Sequence, residues 1–121
     1  MFKVSEAELD TLLMLWECKE PVRPAILLIR LNENGQNWSI STLQTLLARL
    51  LAKGAVTMIK QKRFHYYTPV MSREEFLAET VVSLKKRLTT YSPIAPVAAL
   101  VESGLLTVEE LDEAKALLEK A

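Results

Sequence analysis

The chain has 121 residues, enough for one domain or one domain with a small appendage, and half of them are hydrophobic, so a core can form. Lys+Arg and Asp+Glu each number 15, so the net charge is zero, and that total alone argues neither for nor against nucleic acid. Cys18 is the only cysteine, which excludes an internal disulfide and a cysteine-cluster metal site, and it reads as a small buried hydrophobe.

The stretch "VSEAELDTLLMLWECKE" predicts a first helix. Ser5 and Glu8 have capping-box spacing, Val4 and Leu9 fit a hydrophobic staple, and Leu9, Leu12, Leu13 and Trp16 are the expected core stripe. Pro21 ends it, and a second helix is expected from Pro24 through "AILLIRL" to the turn signals of "NENGQN". In "WSISTLQTLLARLLAKG", Ser39 is a plausible N-cap, Leu43, Leu46, Leu47 and Leu50 form an apolar stripe, and Gly54 closes the helix. "AVTMIK" and "RFHYYTP", separated by Gln61 and Lys62, predict a β-hairpin with a basic tip, ended by Pro69. "SREEFLAETVVSLKKRL" predicts a fourth helix, with Ser72 and Glu75 as a capping box and Phe76, Leu77, Val81, Leu84 and Leu88 as its stripe. After Pro93 and Pro96 comes the short apolar "VAALVESG". A last helix follows, capped by Thr107 with Glu110 and striped by Leu111, Ala114, Leu117 and Leu118. No basic and apolar leader pattern opens the chain, and no stretch is long and apolar enough to span a bilayer, so a reducing cytoplasm is the expected setting and no membrane partner is expected.

The neutral total hides an uneven distribution. Between Glu33 and Glu74 there is no acid, while Arg49, Lys53, Lys60, Lys62, Arg63 and Arg73 are all basic; the C-terminal part is acidic, with Glu102, Glu109, Glu110, Asp112, Glu113 and Glu119 against Lys115 and Lys120. A long gap in carboxylates fits selection against repulsion from phosphate. Three helices followed by a basic hairpin are the order of a winged helix-turn-helix. The expected fold class is therefore mainly α with a small β-hairpin. Residues 1–71 form the DNA-binding domain, and residues 72–121 are helices for dimerisation. The third helix would lie in the major groove of double-stranded DNA. Its polar face and the hairpin tip give the expected contacts: Ser39, Ser41, Thr42, Gln44, Thr45, Arg49, Lys53, Lys60, Lys62 and Arg63. Gln44 suits adenine or phosphate and Arg49 guanine or phosphate, while the wing cations suit the flanking backbone. The expected dimer surface is apolar: Leu77, Val81, Leu84, Leu88, Leu100, Leu105, Leu111 and Leu118, with Val101 and Leu106 beside them.

"VSEAELDTLLMLW", "WSISTLQTLLARLLAKG" and "KRFHYYTP" together resemble the penicillinase-repressor family of bacterial winged-helix regulators. The resemblance runs from about Val4 to near Leu88 and returns weakly at "LVESGLLTVEELDEAKALLEK". It implies a homodimeric repressor on a palindromic operator, released by an inducer or a regulatory protease. The chain departs from the pattern at several points. Lys62 stands where many members have a wing-tip glycine, Arg23-Pro24 where a threonine often caps the second helix, and Ile40-Ser41 where several members carry lysine or proline. The C-terminal cysteine hook of copper-sensing members is absent. Ala99-Leu100 takes the place of the Asn-Phe bond at which antibiotic-responsive members are cut, so operator and signal do not carry over.

No enzyme is expected. His65 is the only histidine, it lies in the wing run, and no paired carboxylate, nucleophile motif or glycine-rich phosphate loop accompanies it. No metal site or cofactor is expected. The alternative to a DNA-binding repressor is a winged-helix module that binds protein through its acidic tail.

Overall fold

The computed structural model describes residues 3–88, 100, 102–104 and 106–120, and of residues 84–88 the backbone alone. The elements are α1 (Glu6–Cys18), α2 (Pro24–Glu33), α3 (Ile40–Ala52), β1 (Val56–Gln61), β2 (Phe64–Pro69), α4 (Arg73–Leu88) and α5 (Val108–Lys120). They fall into two compact units, Met1–Leu77 and Ala78–Ala121.

In the first unit, the ends of α1 follow local chemistry. The Ser5 hydroxyl accepts the Glu8 N–H at 3.2 Å while the Glu8 carboxylate accepts the Ser5 N–H at 2.9 Å, a complete capping box. The helix stops before Pro21, at Lys19, whose φ of 60° is left-handed. The inward face differs from expectation. Glu8, Thr11, Leu12 and Leu15 are buried, at spacings of three and four, whereas Leu13 is 40 % exposed and lines an open groove with Met14, Ile26 and Ile29. The buried Thr11 is satisfied by donating to the Ala7 carbonyl at 2.9 Å. Rotation of the stripe brings the Glu8 carboxylate inward to a partner on α3.

Helix α2 starts with Pro24 in its first turn and buries Leu27 and Leu31. Helix α3 buries Leu43, Leu46, Leu47 and Leu50, as its pattern predicts. Its end is a Schellman motif. Gly54, at φ 77°, donates to Leu51, and Ala55 donates to Leu50 at 2.9 Å. Ala55 and Leu50 are both buried, which supplies the apolar contact that accompanies this motif. The core is Leu12, Leu15, Val22, Leu27, Leu31, Leu43, Leu47, Leu50, Ala55 and Val56, with Trp38 and Tyr67 packed against it.

Strands β1 and β2 pair antiparallel, with Val56 opposite Pro69, Lys60 opposite His65 and Gln61 opposite Phe64. The turn is therefore Lys62-Arg63, one residue later than the Gln61-Lys62 separation read from the sequence. The α1–α2 connection adds a bridge to this hairpin: Val22 donates to Tyr67 at 3.0 Å and Tyr67 to Val22 at 2.9 Å. The first turn of α4 belongs to the same unit. Ser72 caps it by accepting the Glu75 N–H, but the return bond runs from the Ser72 hydroxyl to Glu75 rather than from its N–H. Phe76 is buried, 5.5 Å from the Trp16 ring, and the Trp16 indole N–H donates to Met71 at 2.9 Å.

In the second unit, Thr107 and Glu110 form the expected capping box at the start of α5, each N–H bonded to the other side chain at 3.1 Å. No described residue of this unit is buried. Of the expected dimer residues, Leu77, at the end of the first unit, is 50 % exposed; in the second unit Val81, Leu100 and Leu118 are exposed and Leu111 is half-buried. The side chains of Leu84 and Leu88 lie outside the description, as do Ala99, Val101 and Leu105.

Candidate nucleic-acid interface

The outward face of α3 is held by its start. Ser39 is the N-cap, its hydroxyl accepting the Thr42 N–H at 3.2 Å and lying 3.0 Å from both the Ser41 and Thr42 hydroxyls. Thr45 donates to the Ser41 carbonyl at 3.0 Å. Just before the helix, Asn32 clamps Trp38 from both sides of its peptide. The amide donates to the Trp38 carbonyl at 3.0 Å and accepts the Trp38 N–H at 2.7 Å. This bidentate latch spans the turn between α2 and α3, where Gly35 and Asn37 both take positive φ. Periodicity gives no sign of it, because the signal is a single amide six residues from its partner.

With the start fixed and the leucines inward, Ser41, Thr42, Gln44, Thr45 and Arg49 are exposed along one side of α3. Small hydroxyls let a helix approach close to a ligand, and the two long side chains reach beyond them. Neither Gln44 nor Arg49 has a side-chain partner among the described residues. The first turn of α3 holds no acid, so nothing there opposes the positive end of the helix dipole.

The hairpin tip exposes Lys60, Lys62, Arg63 and His65. Lys62 has φ 58° and Arg63 does not share the positive sign, the pattern of a II′ rather than a I′ turn. A lysine thus occupies a backbone position that favours glycine.

Lys53 belongs elsewhere. Its ammonium, at the C-terminal end of α3, donates to Glu8 Oε1 at 2.7 Å; the Glu8 side chain is 3 % exposed and that of Lys53 36 %. Glu8 Oε2 is buried without a hydrogen-bond partner. Burial pushes the Glu8 carboxyl up, but the Lys53 ammonium and the Ser5 bonds outweigh it and hold the group below the usual glutamate range. Lys53, expected at a phosphate, is here an anchor between α3 and α1. Arg23 and Phe64, to which the sequence reading gave no part in the interface, meet at the wing: the Arg23 guanidinium lies 4.1 Å from the centre of the Phe64 ring, and that of Arg63, an expected wing cation, 5.4 Å from it. Among the described residues no cluster of His, Cys, Asp or Glu could hold a metal ion, and no helix is long and apolar enough to cross a membrane.

Three packed helices, a polar-faced third helix and a basic hairpin define a winged helix-turn-helix domain. Comparison with known proteins narrows the class. The penicillinase repressor family model matches residues 4–120, and the chain belongs to that family. It is 27 % identical over 118 residues to the penicillinase repressor of Bacillus licheniformis, covering 98 % of this chain and 91 % of the relative. The solution structure of the DNA-binding domain of the repressor BlaI matches with TM-score 0.52 and 32 % identity, over 62 % of this chain and 93 % of that one. The Bacillus licheniformis BlaI monomeric form, solved in complex with the blaP half-operator, matches with TM-score 0.51 and 30 % identity, over 60 % of this chain and 87 % of that one. These relatives are repressors and not enzymes.

Proposed function

We propose that the protein is a DNA-binding transcriptional repressor of the cytoplasm that occupies a palindromic operator as a homodimer. The observation that carries this reading is the outward row of Ser41, Thr42, Gln44, Thr45 and Arg49 on a helix locked at both ends. Family membership and the half-operator complex of a relative support DNA as the partner.

Within this reading Thr42 and Gln44 contact base edges. Arg49 reaches guanine or phosphate, and Ser39, Ser41 and Thr45 allow close approach. Lys60, Lys62 and Arg63 neutralise phosphates. Lys53 acts indirectly by holding α3 against Glu8. The dimer would form through the second unit, where Val81, Val82, Val108, Leu117 and Leu118 are each more than half exposed. A two-fold pair would place two reading heads on an inverted repeat.

The test is selection of duplexes from a random pool by the intact chain, followed by affinity measurements at several salt concentrations. Enrichment of an inverted repeat, with affinity falling steeply in salt, is expected. Enrichment of no repeat would sink the reading in favour of a protein-binding module. Among variants, Arg49→Ala should weaken binding to most duplexes, while Gln44→Ala should change which are preferred. Equal weakening of all duplexes by Gln44→Ala would remove it from base readout.

A further inference from the structure

We propose that Arg23 is a phosphate-binding residue of this interface and, through the Phe64 ring it shares with Arg63, the residue that positions the wing. The inference rests on the repressor reading and adds to it a residue outside α3 and the hairpin.

Arg23 occupies the N-cap of α2, where serine, threonine, aspartate or asparagine would accept a helix N–H, and it makes no such bond. A missing cap leaves a first-turn N–H of the helix without its side-chain acceptor. At this position the chain carries a long cation that turns instead to the hairpin, with its guanidinium 4.1 Å from the Phe64 ring centre. The backbone holds the two segments together beside it. Val22, the preceding residue, exchanges both hydrogen bonds with Tyr67, three residues after Phe64 in the same strand. Phe64 pairs with Gln61 across the hairpin, one step out of phase with Val56, so it lies on the sheet face opposite the core.

Arg63 addresses the same ring at 5.4 Å. The two guanidinium groups are therefore no further apart than the sum of their distances to that ring centre. Neither has an ion pair among the described residues. Glu20 shares a shallow groove with Arg23 but does not pair with it. Ring attraction holds each guanidinium over Phe64 but does not cancel their mutual repulsion. An anion reached by both would. A phosphate fits best, because guanidinium groups bind its oxygens in a bidentate fork. Lys60 and Lys62 extend the same charge along the hairpin. Phe64 thus acts as a hinge pin: it sets the distance from the wing to the start of α2, and both arginines are oriented by it.

The experiment uses the intact chain and a random-sequence duplex of fixed length, with binding followed by fluorescence anisotropy across a potassium chloride series. For Arg23→Ala the slope of log affinity against log salt should shrink by about 0.9, the value of one lost phosphate contact. Arg23→Lys should keep the slope while weakening affinity, because the charge remains and the stacked fork is lost. Phe64→Leu should also weaken binding, and by less in the Arg23→Ala background, where Arg63 alone is left for the ring to orient. Should Arg23→Ala fail to fold, Arg23→Met keeps the stem and removes the charge, and the same smaller slope is expected. An unchanged slope in the folded charge-removing variant overturns the phosphate role. Additive effects of Phe64→Leu and Arg23→Ala overturn the positioning role. Absence of salt-dependent binding by the unaltered chain overturns the repressor reading and this inference with it, whereas failure of the Arg23 variants alone leaves the repressor reading standing.

Discussion

The two compact units of the chain solve the burial problem differently. The unit Met1–Leu77 encloses its apolar residues: Leu12, Leu27, Leu43, Leu47 and Leu50 have no accessible surface. In Ala78–Ala121 no described residue is buried, and Leu117 and Leu118 are 68 % and 77 % exposed on a helix with a well-formed capping box. Local chemistry is sound in both units, so capping and propensity cannot be what separates them. The difference is the number of faces available. Three helices and a hairpin can cover one another, whereas an amphipathic helix without a covering face leaves its leucines in water. A second chain is the proposed cover, which assigns reading to the first unit and pairing to the second.

The comparison breaks most visibly in the core. Leu47→Ala should destabilise the first unit by about 2–5 kcal/mol in denaturant unfolding, because the site is surrounded and a cavity remains. Leu118→Ala should leave the unfolding of the first unit unchanged and instead weaken self-association in sedimentation equilibrium. If Leu118→Ala cost the first unit as much as Leu47→Ala, the division of labour would be wrong.

The ion pair behind α3 has a smaller expected effect. Lys53→Met leaves the buried Glu8 carboxylate without its cation and should cost about 1–3 kcal/mol, while binding at low salt to a folded reading head falls less than for Arg49→Ala. The sign in pH follows from the lowered Glu8 pKa. The contribution of the pair is fully present above the ordinary glutamate value of 4.5 and is lost as pH falls from there through the folded-state value. Glu8→Gln should therefore flatten the acid limb of the stability curve, and a limb of unchanged steepness would contradict the assignment.

Smallest is the wing tip. Lys62→Gly relieves a left-handed backbone at φ 58° and should stabilise the hairpin by about 1 kcal/mol. It should also reduce the salt slope of DNA binding by about 0.9. A stabilised variant with an unaltered slope would place Lys62 away from the phosphates.

What was legible in the sequence was what neighbours in the chain decide. The leucine stripe of α3, the Ser39 cap, the closing Gly54, the α1 and α5 capping boxes and the hairpin all rest on spacings of a few residues. Most of the misses are contacts across long separations. Glu8 reads as a capping partner, but its pairing with Lys53 joins residues far apart in the chain, and it lies on an inward stripe that runs through Leu15 rather than Leu13. Arg23 read as a departure from a capped helix start because its partner Phe64 lies far along the chain. The wing turn slipped by one residue because Gln61 carries no strand signal of its own and is held in β1 by pairing with Phe64. Phe76 similarly ties the start of α4 to Trp16, so the first compact unit runs past residue 71 to Leu77.

The most direct test of one unit reading and the other pairing is sedimentation of the intact chain on a selected full-site duplex and on its half-site, at one salt concentration, with affinity measured for both. Two chains on the full site and one on the half-site are expected, with the full site bound on the order of a hundredfold more tightly, because the second contact becomes intramolecular. One chain on the full site, or equal affinity for the two duplexes, would contradict it.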